Sequence, residues 1–369
     1  MNLKFLYLLT LLLTLASCSG NDSSEEAIQF EELISMNYAK GLSLYKTNEG
    51  TVVTITNPQT QEILDHFLVT SKEETEMSNI KVVTTPFESV LAYSSTYISF
   101  MSALKEVDKI TGVTYSQGIS NQRIKERLAS KQTLDVGSDQ SPDKELVISL
   151  KPDLAMIYPS NGNHDWFQSF SIPTIANVEY LEVHPLAQAE WIKLYGVLFE
   201  KEELADSIFN EIEKNYKSEI VTASDSKLPV VLCGELYDDV WTLPGGRSFT
   251  SKLIEDAGGQ YFLSSDTTSG SRKLDFEFVL SQETLFDYWL LLTYNPKPIT
   301  YQYLKENKPR YSYLSVFSPE KMSVCNTATS SYFETGILEP HVLLKEIKSL
   351  IQDSTKLADS KYFKRISRN

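Results

Sequence analysis

Three cysteines and four histidines are the side chains of this 369-residue chain best suited to covalent chemistry or metal ligation. Their placement argues against both in the body of the protein. His66, His164, His184 and His341 show no metal-ligand spacing. Cys233 and Cys325 each close a β-like run, Val230-Val231-Leu232-Cys233 and Met322-Ser323-Val324-Cys325. A buried thiol there packs as a small apolar group, and a disulfide between the two is open only outside the cytoplasm. There is no Gly-x-Ser-x-Gly elbow, no His-Glu-x-x-His and no plausible Ser-His-Asp order. Pro244-Gly245-Gly246 and Gly258-Gly259 lack the Gly-x-x-x-x-Gly-Lys spacing of a phosphate loop. These absences weigh against an enzyme, and the expectation is no intrinsic cofactor or metal. Its obvious recognition resource is aromatic, with 20 Tyr, 17 Phe and 4 Trp.

Cys18 stands apart. One cation, Lys4, precedes an apolar run from Phe5 to Leu15, too short for a comfortable transmembrane helix. Ala16 and Ser17, both small, come immediately before Cys18, which resembles a bacterial lipobox. The resemblance implies removal of residues 1–17, lipidation of Cys18, and a membrane tether outside the cytoplasm. Either the periplasmic side or the outer-membrane surface fits. Residues 18–37 begin with a polar stretch that reads as a flexible tether. A net charge of -15 makes nucleic acid an improbable partner.

The rest must position any site by its order of strands and helices. Strand-like runs at 42–45 and 51–55 predict an N-terminal hairpin. Strands follow at 81–85, 110–114, 153–158 and 172–175, with helices at 88–101 and 120–130 and one opened by Ser141-Pro142-Asp143. Residues 186–222 hold apolar residues at helical spacing, interrupted only by Gly196, and predict one rigid bridging helix about 50 Å long. A second series has strands at 230–233, 288–293 and 322–325, and helices near 249–257, 339–352 and 359–367. The predicted fold class is α/β: two Rossmann-like lobes, 38–185 and 223–369, with mostly parallel sheets joined by one long helix. The lobes echo each other. Glu145-Leu146-Val147-Ile148-Ser149 leads to a strand ending at Tyr158, and Glu277-Phe278-Val279-Leu280-Ser281 to one ending at Tyr294.

Over most of residues 80–350 the chain resembles the substrate-binding proteins of ABC importers for iron-siderophores and vitamin B12. The resembling stretches are Leu150-Lys151-Pro152-Asp153-Leu154 and Ile172-Pro173 in the first lobe. In the second they are Pro244-Gly245-Gly246-Arg247-Ser248-Phe249, Leu253-Ile254-Glu255-Asp256-Ala257-Gly258-Gly259 and Phe276-Glu277-Phe278-Val279-Leu280. The family's Pro-Asp before the second lobe's strand is here Phe286-Asp287. The resemblance implies a monomer that clamps a metal chelate, a ferric siderophore or cobalamin-like ligand, between two lobes. It implies docking to the permease through one Glu per lobe, which the motif places at Glu145 and Glu277. By family position the cleft residues of the first lobe are Tyr115, Tyr158 and Trp166. Those of the second are Tyr237, Trp241, Tyr294, Tyr332 and Phe333. His164, in the loop just after a strand, reads either as an axial ligand or donor to a chelate or as a plain helix-start loop residue. Arg247 and Arg272 would meet a carboxylate-rich chelate. A surface scavenger of haem or another chelate, or an envelope enzyme, are the alternative classes.

Overall fold

The computed structural model describes residues 30–72, 80–159, 166–221, 227–352 and 360–368. The leader 1–17, Cys18 and His164 lie outside these residues.

The chain starts with a five-stranded sheet, Phe30–Ile34, Leu42–Thr47, Gly50–Thr56, Ile63–Thr70 and Lys81–Thr84, joined in sequence order. The predicted hairpin is its second and third strands. The first strand falls within the expected tether, so the tether cannot run to residue 37. Buried carboxylates hold residues 37–41 in place: Glu190 accepts the N–H groups of Asn37, Tyr38 and Ala39 at 2.8 Å, and Glu182 those of Lys40 and Gly41 at 2.8 Å. Such charge-assisted bonds satisfy backbone donors that no strand partner takes. Strand Lys81–Thr84 pairs parallel with Ile63–Thr70 and so belongs to this sheet, not to the first lobe's parallel sheet. The two sheets touch, because the Lys81 amine donates to the Thr174 carbonyl at 2.8 Å.

The first lobe is a parallel sheet in the order Thr174–Ala176, Leu154–Ile157, Val90–Ala92, Ile110–Val113, Leu134–Asp135. Strand Leu154–Ile157 is buried on both faces, as a parallel sheet covered by helices requires. The second lobe runs Met322–Asn326, Tyr288–Thr293, Val230–Cys233, Gln260–Tyr261, also parallel. Apart from the edge strand Leu134–Asp135, both lobes wind alike: the first strand is central, the next lies on one side of it, and the last two follow one another on the other side. The strands ending before Tyr158 and Tyr294 occupy the same place, so the sequence echo reflects a topological repeat. A small antiparallel sheet, Glu235–Tyr237, Val240–Pro244 and Ser271–Asp275, is inserted in the second lobe.

The predicted bridging helix is divided into Pro185–Glu190, Ile192–Leu198 and Glu202–Glu219. At the second break Glu200 takes a left-handed φ of 55 and the Lys201 N–H returns to the Gly196 carbonyl at 2.7 Å. That is a Schellman-type stop. Gly196 makes the turn-back possible: a Cβ there would lie 2.7 Å from the Ala205 Cβ. The connection between lobes is the 18-residue helix Glu202–Glu219, about 27 Å long, half the expected span. Its C-terminal half is fastened to the second lobe, where the Tyr216 hydroxyl donates to Asp256 at 2.7 Å and Lys348 meets Glu219 at 2.6 Å.

Three smaller expectations also change. Residues 90–92 form a strand, so the helix expected from 88 starts at Ser95, capped by the Ser94 hydroxyl. Helix Lys144–Leu150 is capped by Asp143, two residues after Ser141. The helix expected at 359–367 is replaced by strand Lys364–Arg365, antiparallel to Met322–Asn326, while Glu346 accepts the N–H groups of Lys361, Tyr362 and Phe363. Cys233 and Cys325 are buried free thiols, raised by burial away from thiolate formation.

Candidate functional site

Parallel strands end in loops on one side of a sheet, and the two lobes turn those sides toward each other. Between them lies a cleft of about 500 Å³ lined from both lobes. The first lobe supplies Tyr93 through Tyr97, after strand Val90–Ala92. It adds Thr114 and Tyr115 after Ile110–Val113, Tyr158 after Leu154–Ile157, and Glu179 and Tyr180 after Thr174–Ala176. The second lobe supplies Tyr294 after Tyr288–Thr293, Thr327 and Ser330 after Met322–Asn326, and Phe333 and Glu334 on the next short helix. Glu334, itself buried, crosses the gap: its carboxylate accepts the Ser120 N–H at 2.7 Å.

The cleft is mostly ring surface. Tyr115, Tyr180, Tyr294 and Phe333 remain largely exposed, and Tyr294 keeps 69% of its surface. Side chains of that size left open at a concavity suit a flat, partly apolar ligand. Two of the rings are held in place. The Tyr115 and Tyr158 hydroxyls both donate to Asp139, one to each carboxylate oxygen. Burial opposes charge on Asp139, yet the two phenols and its backbone contacts hold it below the usual carboxylate value. Conversely, hydrogen bonding to Asp139 raises Tyr115, and burial followed by the same bond raises Tyr158. The two phenols therefore stay protonated at neutral pH. Tyr115 is held at a left-handed φ of 50, backbone strain of the kind found at ligand clamps. Tyr158 also meets Tyr180 edge to face at 6.3 Å.

Beneath the rings sits Glu179. It is 2% exposed, and its Oε1 accepts the Thr96 hydroxyl at 2.7 Å. Its Oε2 is buried with no hydrogen-bond partner among the described residues. Burial pushes its carboxyl up to about 7. The Tyr97 ring, fully buried, is raised by burial and then by the Glu179 charge.

Of the residues expected at a ligand cleft, Tyr115, Tyr158, Tyr294 and Phe333 line this cavity. The other expectations require correction. Trp166 is buried against Phe167, stacked at 4.0 Å, within the first lobe. Trp241 has no exposed surface. Its indole donates to the Cys233 carbonyl at 2.8 Å and packs on Phe276, Trp289 and Tyr311. Tyr237 and Tyr332 line a separate cavity of about 190 Å³ inside the second lobe. Arg247 is an exposed loop residue and Arg272 pairs with Asp266 at 3.3 Å, and neither lines the cleft. The Pro244-Gly245-Gly246 turn is structural: a Cβ on Gly245 would lie 2.1 Å from the Thr268 carbonyl oxygen. Residues that went unforeseen include Tyr93, Tyr97, Glu179, Tyr180 and Glu334, and Asp139 behind the rings. Tyr180 carried a usable signal, since it comes after the predicted strand 172–175 as Tyr158 comes after its own.

Of the two proposed docking acids, Glu145 is exposed in the first turn of helix Lys144–Leu150. Glu277 opens helix Phe276–Ser281, also exposed, and pairs with Arg310 at 2.9 Å. Arg310 lies over the Phe276 ring at 4.2 Å. Among the described residues no group of three or more His, Cys, Asp or Glu is placed to hold a bare metal ion.

Residues 90–310 match the profile of the periplasmic binding protein family. An uncharacterised lipoprotein of Methanocaldococcus jannaschii is 24% identical over 285 residues, covering 74% of this chain and 67% of that protein. Among solved structures, an Fe3+-hydroxamate transport protein of Saccharomonospora viridis superposes with a TM-score of 0.56 at 16% identity. The match covers 72% of this chain and 94% of that one. A periplasmic haem-binding protein of Vibrio cholerae gives a TM-score of 0.57 at 13% identity, over 71% of this chain and 98% of that one.

Proposed function

We propose that this chain, which belongs to the family of periplasmic binding proteins, captures a metal chelate between its lobes and delivers it to an ABC importer. The observation that carries the reading is the aromatic cleft, built from strand-end loops of both lobes and large enough, at about 500 Å³, for a substantial part of a chelate. Tyr115 and Tyr158, oriented by Asp139, form one wall; Tyr294 and Phe333 form the other. Lipid at Cys18 would hold the protein at a membrane, and the lipoprotein name of the archaeal relative supports that assignment. Glu145 and Glu277, exposed at corresponding helix starts of the two lobes, are the residues we assign to permease contact. Two well-separated carboxylates on a rigid body can orient it against Arg side chains.

A native mass spectrum of the protein purified from medium containing iron and cobalamin tests the reading. The expected result is an added mass that carries iron or cobalt. An added mass that is organic and metal-free would reject the chelate and point to another ligand class.

A further inference from the structure

We propose that Glu179 is the polar anchor of the cleft, and that the captured chelate carries zero or positive charge and presents an N–H group to the Glu179 Oε2. The inference rests on the chelate reading above and narrows it to a charge class.

The first support is the state of the carboxyl itself. Glu179 comes after strand Thr174–Ala176 in a short turn that puts its side chain against the cleft. Thr96, in the first turn of the adjacent helix, satisfies Oε1 and fixes the group's direction. Glu179 lines the site, and its buried Oε2 has no donor among the described residues. A buried acceptor left unmatched by its own protein is costly, and a ligand donor at that point would remove the cost.

The second support is the sign of the surrounding charge. Glu334 lines the cleft from the other lobe, and the lowered Asp139 lies behind Tyr115 and Tyr158. Among the described residues that line the cleft there is no Lys, Arg or His. Hydroxyls of Ser, Thr and Tyr supply the remaining polar surface. An anionic chelate would meet carboxylates without a counter-charge, in a concavity where water screens poorly. The arginines expected to meet carboxylates on the chelate stand elsewhere. Tyr115 and Tyr158 donate to Asp139 as neutral phenols, so they offer ring faces rather than phenolate ligands.

The test uses the mature protein and a panel of chelates graded by charge: ferrioxamine B with its free ammonium, the same molecule N-acetylated, uncharged ferrichrome, ferric enterobactin and haem. Affinities are read by quenching of intrinsic fluorescence and by calorimetry. The expected order is cationic, then neutral, then anionic, with about tenfold or more between the ends. Glu179→Gln should weaken ferrioxamine B by about tenfold, and the acetylated form by less than about threefold. Tightest binding of ferric enterobactin or haem would overturn the inference while leaving the chelate reading intact. So would a folded Glu179→Gln variant that binds ferrioxamine B as tightly as the parent does. If that variant does not fold, the order within the unmodified protein decides. Binding of no panel member would defeat the chelate reading, and this inference with it.

Discussion

Replacing Glu179 by Gln should change how stability depends on pH, and the size of the change comes from the burial of one carboxyl. Glu179 is 2% exposed and has no cation beside it among the described residues, and burial raises it from 4.5 to about 7. A folded-state value above the unfolded one means that the folded protein binds this proton more tightly. The stabilising contribution is therefore fully present below about pH 4.5 and is lost as pH rises through about 7. At about 1.4 kcal/mol per unit, the loss across that window is about 3 kcal/mol. Gln keeps an Oε1 acceptor for the Thr96 hydroxyl and has no proton to release. Glu182 and Glu346 are also raised by burial, but they are present in both proteins and cancel in the difference. The stability of Glu179→Gln relative to the parent should thus rise by about 3 kcal/mol between pH 4.5 and pH 8. Urea unfolding of ligand-free protein at four or five pH values, monitored by near-ultraviolet dichroism, measures it. A difference that stays flat within about 1 kcal/mol over that range would refute the claim that this carboxyl is desolvated without a compensating charge.

Two further outcomes rest on particular contacts. Glu145→Arg and Glu277→Arg should leave chelate affinity intact and strongly reduce uptake, or ligand-stimulated ATPase of the reconstituted importer, with the double variant worse than either. Loss of the exposed Arg310 pair at Glu277 costs at most about 1 kcal/mol, so normal import by both variants would remove these acids from the docking assignment. Trp241→Ala should cost about 3–5 kcal/mol of stability, because it opens a hole among Phe276, Trp289 and Tyr311 and strips the Cys233 carbonyl of its donor. Unchanged unfolding with weakened chelate binding would return Trp241 to the cleft.

Whether a residue of this protein could be placed from sequence depended on whether its role came from chain direction or from packing across elements. Tyr115, Tyr158 and Tyr294 stand after strands whose buried, β-rich runs are plain to read, and parallel strands deliver their C-terminal neighbours to one rim. The same rule, applied after 172–175, reaches Tyr180. Trp241 lies near a Pro-Gly-Gly turn, but the alternation of its strand decides its place. Val240, Trp241, Thr242 and Leu243 alternate between partly exposed and buried, and Trp241 shares the inward face with Leu243. The bridge failed for a related reason. Helical spacing survives a turn-back when both helices bury the same kind of face, and only Gly196, where Ala205 packs, marked the place. Glu179 could not be read at all. In Val178-Glu179-Tyr180-Leu181 it has the local setting of a solvated surface acid. What makes it unusual is a parallel strand that ends at Ala176, a helix that begins at Ser95, and a second lobe whose Phe333 and Glu334 close the space above it. Three segments far apart in sequence create that environment. The residue we propose as the cleft's polar anchor is for that reason the least visible in the sequence, whereas Tyr115, Tyr158 and Tyr294 are visible from strand order alone.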